Sequence, residues 1–153
     1  MAYLGRKKGK YSISTNPRRL DLDAIHGFLS RSFWAEDIPK KLVAKSIRNS
    51  LCFGVFHGRD QVGFARVVTD RATYAYLCDV YILESHRGKG LSKRLIEVVM
   101  AHPDLQGLRR FQLVTRDAHG LYKRFGFRAP KHPERHMEIF RDGMYVRKRK
   151  RQT

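Results

Sequence analysis

The chain has 153 residues, 42% of them hydrophobic, which suits one domain with a core of its own. Its 32 Lys and Arg against 14 Asp and Glu give a formal net charge of +18, a field that favours anionic ligands and disfavours polycationic ones. No apolar run is long enough to span a bilayer, and two cysteines are too few for a disulfide-dense secreted scaffold, so both classes are excluded.

Three segments are expected: a basic extension at 1–10, a folded domain at 11–146 and a basic tail at 147–153. The clusters Arg6, Lys7, Lys8, Lys10 and Arg147, Lys148, Arg149, Lys150, Arg151 hold half of the net charge, so the domain is basic in its own right. No apolar segment follows the cationic start, so no secretory signal is read there. Cys52 and Cys78 lie in apolar runs and are expected to be reduced core residues of a cytoplasmic protein.

Residues 11–14 read as a short strand, broken by Thr15-Asn16-Pro17. Asp21 or Asp23 can cap a helix with Leu22, Ile25, Phe28 and Leu29 on one face. A loop at 30–37 carries Phe33 and Trp34. Asp37 then caps a second helix, with Pro39 in its first turn, that runs to about Arg48. Strands follow at 51–56 and 61–69 around the turn His57-Gly58-Arg59-Asp60, and a long strand at 74–83. A helix starts near Gly90, with Leu91, Leu95, Val98 and Val99 at helical spacing, and stops at His102-Pro103. A strand at 111–115 is expected to lie parallel to 77–83, because a helix separates them. A short helix at 118–125 ends at Gly126, and a last strand is expected at 137–141.

The most informative stretch is 74–101: strand, cation-rich turn, helix. At such a junction the first N–H groups of the helix lack internal partners and the helix dipole adds positive charge. Gly88 and Gly90 permit close approach to the backbone, and Arg87, Lys89 and Lys93 add full charges. This chemistry suits a phosphate or diphosphate. The string G-x-x-x-x-G-K-[ST] is absent, and Lys93 stands where a dinucleotide fingerprint needs its third glycine.

Arg87, Gly90 and Ser92 fit R-x-x-G-x-G/A with a serine at the last small position. Asp79-Val80-Tyr81-Ile82 looks like D-[LVF]-[YF]-V, and the seven residues from Leu121 to Phe127 match L-Y-x-x-x-G-F throughout. In these features the chain resembles the GCN5-related N-acetyltransferases, the GNAT family, over about residues 11–128. The resemblance implies a single α/β (α+β) GNAT domain. Its sheet is mixed, mostly antiparallel and twisted, with helices on both faces and a parallel strand pair that splays apart. It implies acetyl-CoA as cosubstrate, with the pantetheine arm along the main chain of Val80, Tyr81 and Ile82 and the diphosphate on Arg87, Gly88, Lys89, Gly90, Leu91 and Ser92. It makes Tyr122 the acid that protonates the leaving thiolate, a task a phenol can perform at neutral pH. Thr115 stands where the family often has Asn and is expected to contact the pantetheine.

Asp79 is the one acid in the central strand. It is a candidate base for the incoming amine, or else a carboxylate satisfied by backbone or an arginine that holds the strand in shape. Phe33, Trp34 and Tyr76 are candidates for the acceptor side. His26, His86 and His119 lack ligand spacing, and His132 and His136 flank Pro133, so no metal is expected. The leading expectation is direct acetyl transfer to a primary amine of an unidentified acceptor in a ternary complex. The alternative is a nucleic-acid- or ribosome-associated binding protein on the same scaffold, suggested by the basic body and its two cationic ends. Dimers are common in the family, and the sequence leaves a homodimer open.

Overall fold

The computed structural model describes residues 6–147. Its six-stranded mixed sheet runs in chain order, β1 (Arg6–Lys8), β2 (Tyr11–Ser14), β3 (Leu51–His57), β4 (Asp60–Thr69), β5 (Tyr74–Ile82) and β6 (Arg110–Leu113). All neighbours are antiparallel except β5 and β6, which are parallel. Helices α1 (Leu22–Leu29) and α2 (Lys40–Arg48) join β2 to β3, α3 (Leu91–Ala101) joins β5 to β6, and α4 (His119–Lys123) follows β6. Arg6–Lys8, within the expected basic extension, pairs its backbone with β2 and adds an edge strand.

The sheet separates two apolar layers. Val55, Val62, Ala65, Val67, Leu77 and Ile82 face α3, which contributes Leu91, Leu95, Ile96, Val98 and Val99. Cys52, Phe64 and Tyr81 face Ile25, Phe28 and Leu29 of α1 and Val43 of α2. The alternation of the strands thus supplies both layers, as period-two side-chain direction requires.

Asp21 takes the cap of α1, accepting a hydrogen bond from the Ala24 N–H at 3.0 Å, while Asp23 in the first turn pairs with Lys40. The start of α2 departs from expectation. Asp37 is left-handed (φ 61°) and its N–H donates to the Ser30 carbonyl, closing the preceding loop; Pro39 becomes the N-cap. Strand β6 ends at Leu113, earlier than expected; Thr115 lies in the turn before α4, where its hydroxyl oxygen accepts the Ala118 N–H. Its parallel partner is 74–77 and not 77–83. The strand expected at 137–141 does not form: this stretch has no ladder partner among the described residues. Of the expected basic tail, 148–153 lies outside the described residues.

One irregularity shapes the centre. Phe64 pairs with Tyr81 and Arg66 with Cys78, so β5 spends one more residue than β4 over this interval. The bulge holds Asp79 in the left-handed region (φ 53°), a conformation Asp adopts more readily than most residues. Just beyond it, paired with Ile82, Gly63 has no room for a side chain: a Cβ there would lie 2.7 Å from Ile82 Cδ1 and 2.9 Å from the Tyr81 carbonyl oxygen. Gly63→Ala is expected to lower stability by about 2 kcal/mol, read as a fall in the urea midpoint at unchanged m-value.

Candidate functional site

The pairing of β5 with β6 stops at Leu77–Leu113, so from Cys78 onward the inner edge of β5 has no strand beside it. The bulge sits at the top of this notch. Val80 and Ile82 pack their side chains against the α3 layer, and Tyr81 packs on the opposite layer, stacked on Phe28 at 3.9 Å between ring centroids. Only the main chain of these residues is therefore available to the notch. The Tyr81 hydroxyl is buried without a protein partner among the described residues.

Beyond Ile82 the chain makes a short 3-10 turn, Glu84–His86, and reaches Gly88 (φ 77°) and Gly90 (φ 73°). These values favour glycine, and a Cβ at either position would meet nothing within 4 Å. Among the described residues, the N–H groups from Gly88 through Lys93 donate to no protein acceptor; the first helical bond into the turn is from Arg94 N–H to the Gly90 carbonyl. The result is an open nest of donors at the positive end of α3. Arg87 does not point into solvent at large: its Nε donates to the Ile82 carbonyl at 3.0 Å, pinning the turn to the end of β5. Lys89 and Lys93 are exposed, Ser92 half-buried, and the Leu91 side chain is core, so Leu91 offers only its backbone. His86 is fixed from below by the Tyr11 hydroxyl at 2.7 Å.

The chain between α1 and α2 closes over the notch. Trp34 Nε1 donates to Asp79 Oδ1 at 2.9 Å, and Arg66 Nε donates to Asp79 Oδ2 at 2.8 Å. The Arg66 and Asp79 side chains are only 19% and 11% exposed. Phe33, 61% exposed, lies under the Arg116 guanidinium at 3.9 Å from its ring centroid. Arg31 grips Glu84 through both oxygens, at 2.7 and 3.0 Å, and holds its carboxyl down at about 2. A cavity of about 450 Å³ opens beside Asp79 and Trp34, lined further by Ile38, Leu42, Lys45 and Tyr145. Tyr76 is half-buried on β5 and does not line it.

Tyr122 projects from α4 with its ring buried and set edge-on to Phe127 at 5.9 Å. No described residue hydrogen-bonds its hydroxyl, which is not sealed in as that of Tyr81 is. Burial pushes its phenol above the ordinary value of 10. Thr115 accepts the Ala118 N–H at 3.0 Å and keeps its own proton free to donate. Burial raises both thiols, Cys52 and Cys78, to about 12, so neither is a nucleophile at neutral pH. The described residues contain no group of three or more His, Cys, Asp or Glu suited to a metal ion, and none of their helices is long and apolar enough to cross a membrane.

Sequence reading missed the contacts of Arg66, Arg116 and Arg31. The first had a signal: a lone arginine within the apolar run of β4 needs a counterion, and Asp79 is the only acid in the adjacent strand. The other two depend on how a loop folds back, which no local pattern reports.

The family model described as the acetyltransferase (GNAT) family matches residues 21–127. A protein of Gibberella zeae assigned as an acetyltransferase is 35% identical over 138 residues, covering 75% of this chain and 77% of its own. The crystal structure of a Xanthomonas campestris protein assigned to acetyl transfer within the same family superposes with a TM-score of 0.89 at 52% identity, over 92% of this chain and all of that one. A Clostridium acetobutylicum acetyltransferase solved with acetyl-CoA shares the fold at 14% identity, with a TM-score of 0.62 over 85% of this chain and 94% of its own.

Removing one partner of the Arg66–Asp79 pair leaves the other charge largely buried and unmatched. Asp79→Asn keeps the left-handed backbone and the acceptor for Trp34 but is expected to cost about 3 kcal/mol. The double variant R66M/D79N should recover most of that loss. Chemical denaturation of the wild type, of Asp79→Asn and Arg66→Met singly and of the double variant gives the coupling directly.

Proposed function

This chain belongs to the GNAT acetyltransferase family, and from that premise we propose that it moves an acetyl group from acetyl-CoA to a primary amine by direct attack within a ternary complex. The observation that carries the cosubstrate is the row of unpartnered N–H groups from Gly88 to Lys93, at a turn where no side chain obstructs approach. That row, Lys89 and Lys93 suit a diphosphate. The unpaired inner edge of β5 suits the amides of a pantetheine arm, and the Thr115 hydroxyl can donate to it.

In this reading the acceptor amine comes from the side of the cavity beside Trp34 and Asp79. Its nitrogen forms the new bond to the thioester carbonyl carbon and the carbon–sulfur bond breaks. The Tyr122 hydroxyl gives its proton to the departing sulfur and regains one from water. The amine gives up its own proton to water or to the lone pairs that Asp79 does not spend on Arg66 and Trp34. Asp79 then serves first as a positioning residue, fixing the bulge that opens the edge of β5. No thiol is needed for the transfer, in keeping with the raised Cys52 and Cys78.

Calorimetry with acetyl-CoA tests the cosubstrate, and thiol release over a panel of amines tests the transfer. Tyr122→Phe should lower kcat on the order of a hundredfold while leaving acetyl-CoA affinity within about twofold, since the ring stays packed; unchanged turnover removes Tyr122 from the mechanism. Because the reaction needs the protonated phenol and burial raises its pKa, activity lost through its ionisation should appear only as the pH rises above 10. A pH profile of kcat reads this.

A further inference from the structure

The cavity beside Asp79 and Trp34, the side from which the amine approaches, is lined by more chemistry than the transfer itself uses. Helix α2 and its flanks present one stripe to it, Ile38, Leu42, Lys45, Ser46 and Asn49, at the three- and four-residue spacing of a helical face. The stripe changes character along its length. Ile38 and Leu42 are apolar, and Trp34 and Tyr145 add aromatic surface, whereas Lys45, Ser46 and Asn49 are polar. The Ser46 hydroxyl donates to the Val43 carbonyl at 2.8 Å and the Asn49 amide to the Lys45 carbonyl at 2.9 Å, so both spend a donor within the helix. The Lys45 ammonium, exposed at the rim, forms no ion pair with a described residue.

Charge in this cavity is one-sided. Among the described residues that line it, Asp79 is the single acid, and it spends one oxygen on Arg66 Nε and the other on Trp34 Nε1. With Asp79 matched by Arg66, Lys45 leaves the lining net positive. A second ammonium on an acceptor therefore meets no free carboxylate here. The reacting amine is favoured in its neutral form, the form that attacks, because cationic surroundings disfavour an ammonium. A carboxylate on the acceptor, by contrast, gains a charge-assisted hydrogen bond at Lys45.

We propose that the acceptor is a monoamine with an apolar body and one carboxylate, its body against Trp34, Leu42 and Tyr145 and its carboxylate on Lys45. Polyamines and the amines of strongly cationic peptides are disfavoured by the same charge. The chemical outcome rests on the acetyl-transfer reading, but the binding does not, and the two are separable. Trp34 supplies the means: it is the one tryptophan of the chain and is 43% exposed in the cavity wall, so its fluorescence reports occupancy without turnover.

Fluorescence titration of the full-length protein, with and without coenzyme A, uses para-(aminomethyl)benzoate, its neutral counterpart para-(aminomethyl)benzamide, and spermidine. The benzoate should give a saturable change with a Kd about fivefold below that of the benzamide, the upper end for an ion pair at an exposed rim. Spermidine should give none. Lys45→Met, at an exposed helix position, should keep the wild-type circular dichroism spectrum and bring the two Kd values within about twofold of each other. Thiol release from acetyl-CoA should rank the three amines in the same order. No saturable response to the benzoate in either condition, equal Kd values in the wild type, saturation by spermidine, or a preference that persists in Lys45→Met overturns the proposal. Binding in the expected order with no thiol released across the amine panel supports this inference and counts against acetyl transfer alone.

Discussion

Everything at the centre of this molecule depends on one additional residue in β5 and on the ion pair that keeps it there. A bulge bends its strand and increases local twist. Here it falls directly after the last residues that β5 pairs with β6, so the two strands part and the backbone of 78–82 is left facing a gap. Asp79 accepts the conformational strain of the bulge, and Arg66 fixes its direction by reaching across from β4. Buried charge of this kind is weak evidence for stability. Its geometric consequence is that Asp79, the left-handed residue of the bulge, is tied at once to β4 and to the chain between α1 and α2.

The three walls of that notch are tied together by the chain that connects α1 to α2. Arg31 holds Glu84 at the entrance to the glycine turn, Phe33 lies beneath Arg116 from the segment after β6, and Trp34 donates to Asp79 at the bulge. Each contact is individually modest, because the first two are exposed to solvent. Together they make the lid answer to the turn, to the far strand and to the bulge at once. Within the loop Phe33 and Trp34 pack edge to face at 5.2 Å.

The legible parts were those in which local pattern and tertiary demand agree. Periodicity located α1, α3 and the strands β2 to β5, and the Arg87–Ser92 turn announced its donors because glycine and cation placement there answer to backbone geometry alone. The errors have a common cause: a side chain or backbone group was used by a partner distant in sequence. Asp37 looked like a helix cap and instead closes the loop back to Ser30. Thr115 looked like the end of a strand and instead accepts the Ala118 N–H in the turn before α4. Phe33 and Trp34 read as candidates for the acceptor side; Trp34 is half-exposed at the cavity and also fixed through its indole nitrogen to the carboxylate that shapes β5.

The Gly88–Lys93 turn presents backbone donors, which carry only partial charge, and Lys89 and Lys93 beside them carry full charges. Yet the acids are not scattered at random against this background. Asp79 and Glu84 are each matched by an arginine that fixes a wall of the notch. Glu138 and Asp142 lie in the exposed stretch 137–142 and form no ion pair with a described residue. The same holds for Asp21, Glu36, Asp37, Asp60, Asp70 and Glu97, so the pairing of Asp79 and Glu84 is selective, placed where a carboxylate shapes the notch.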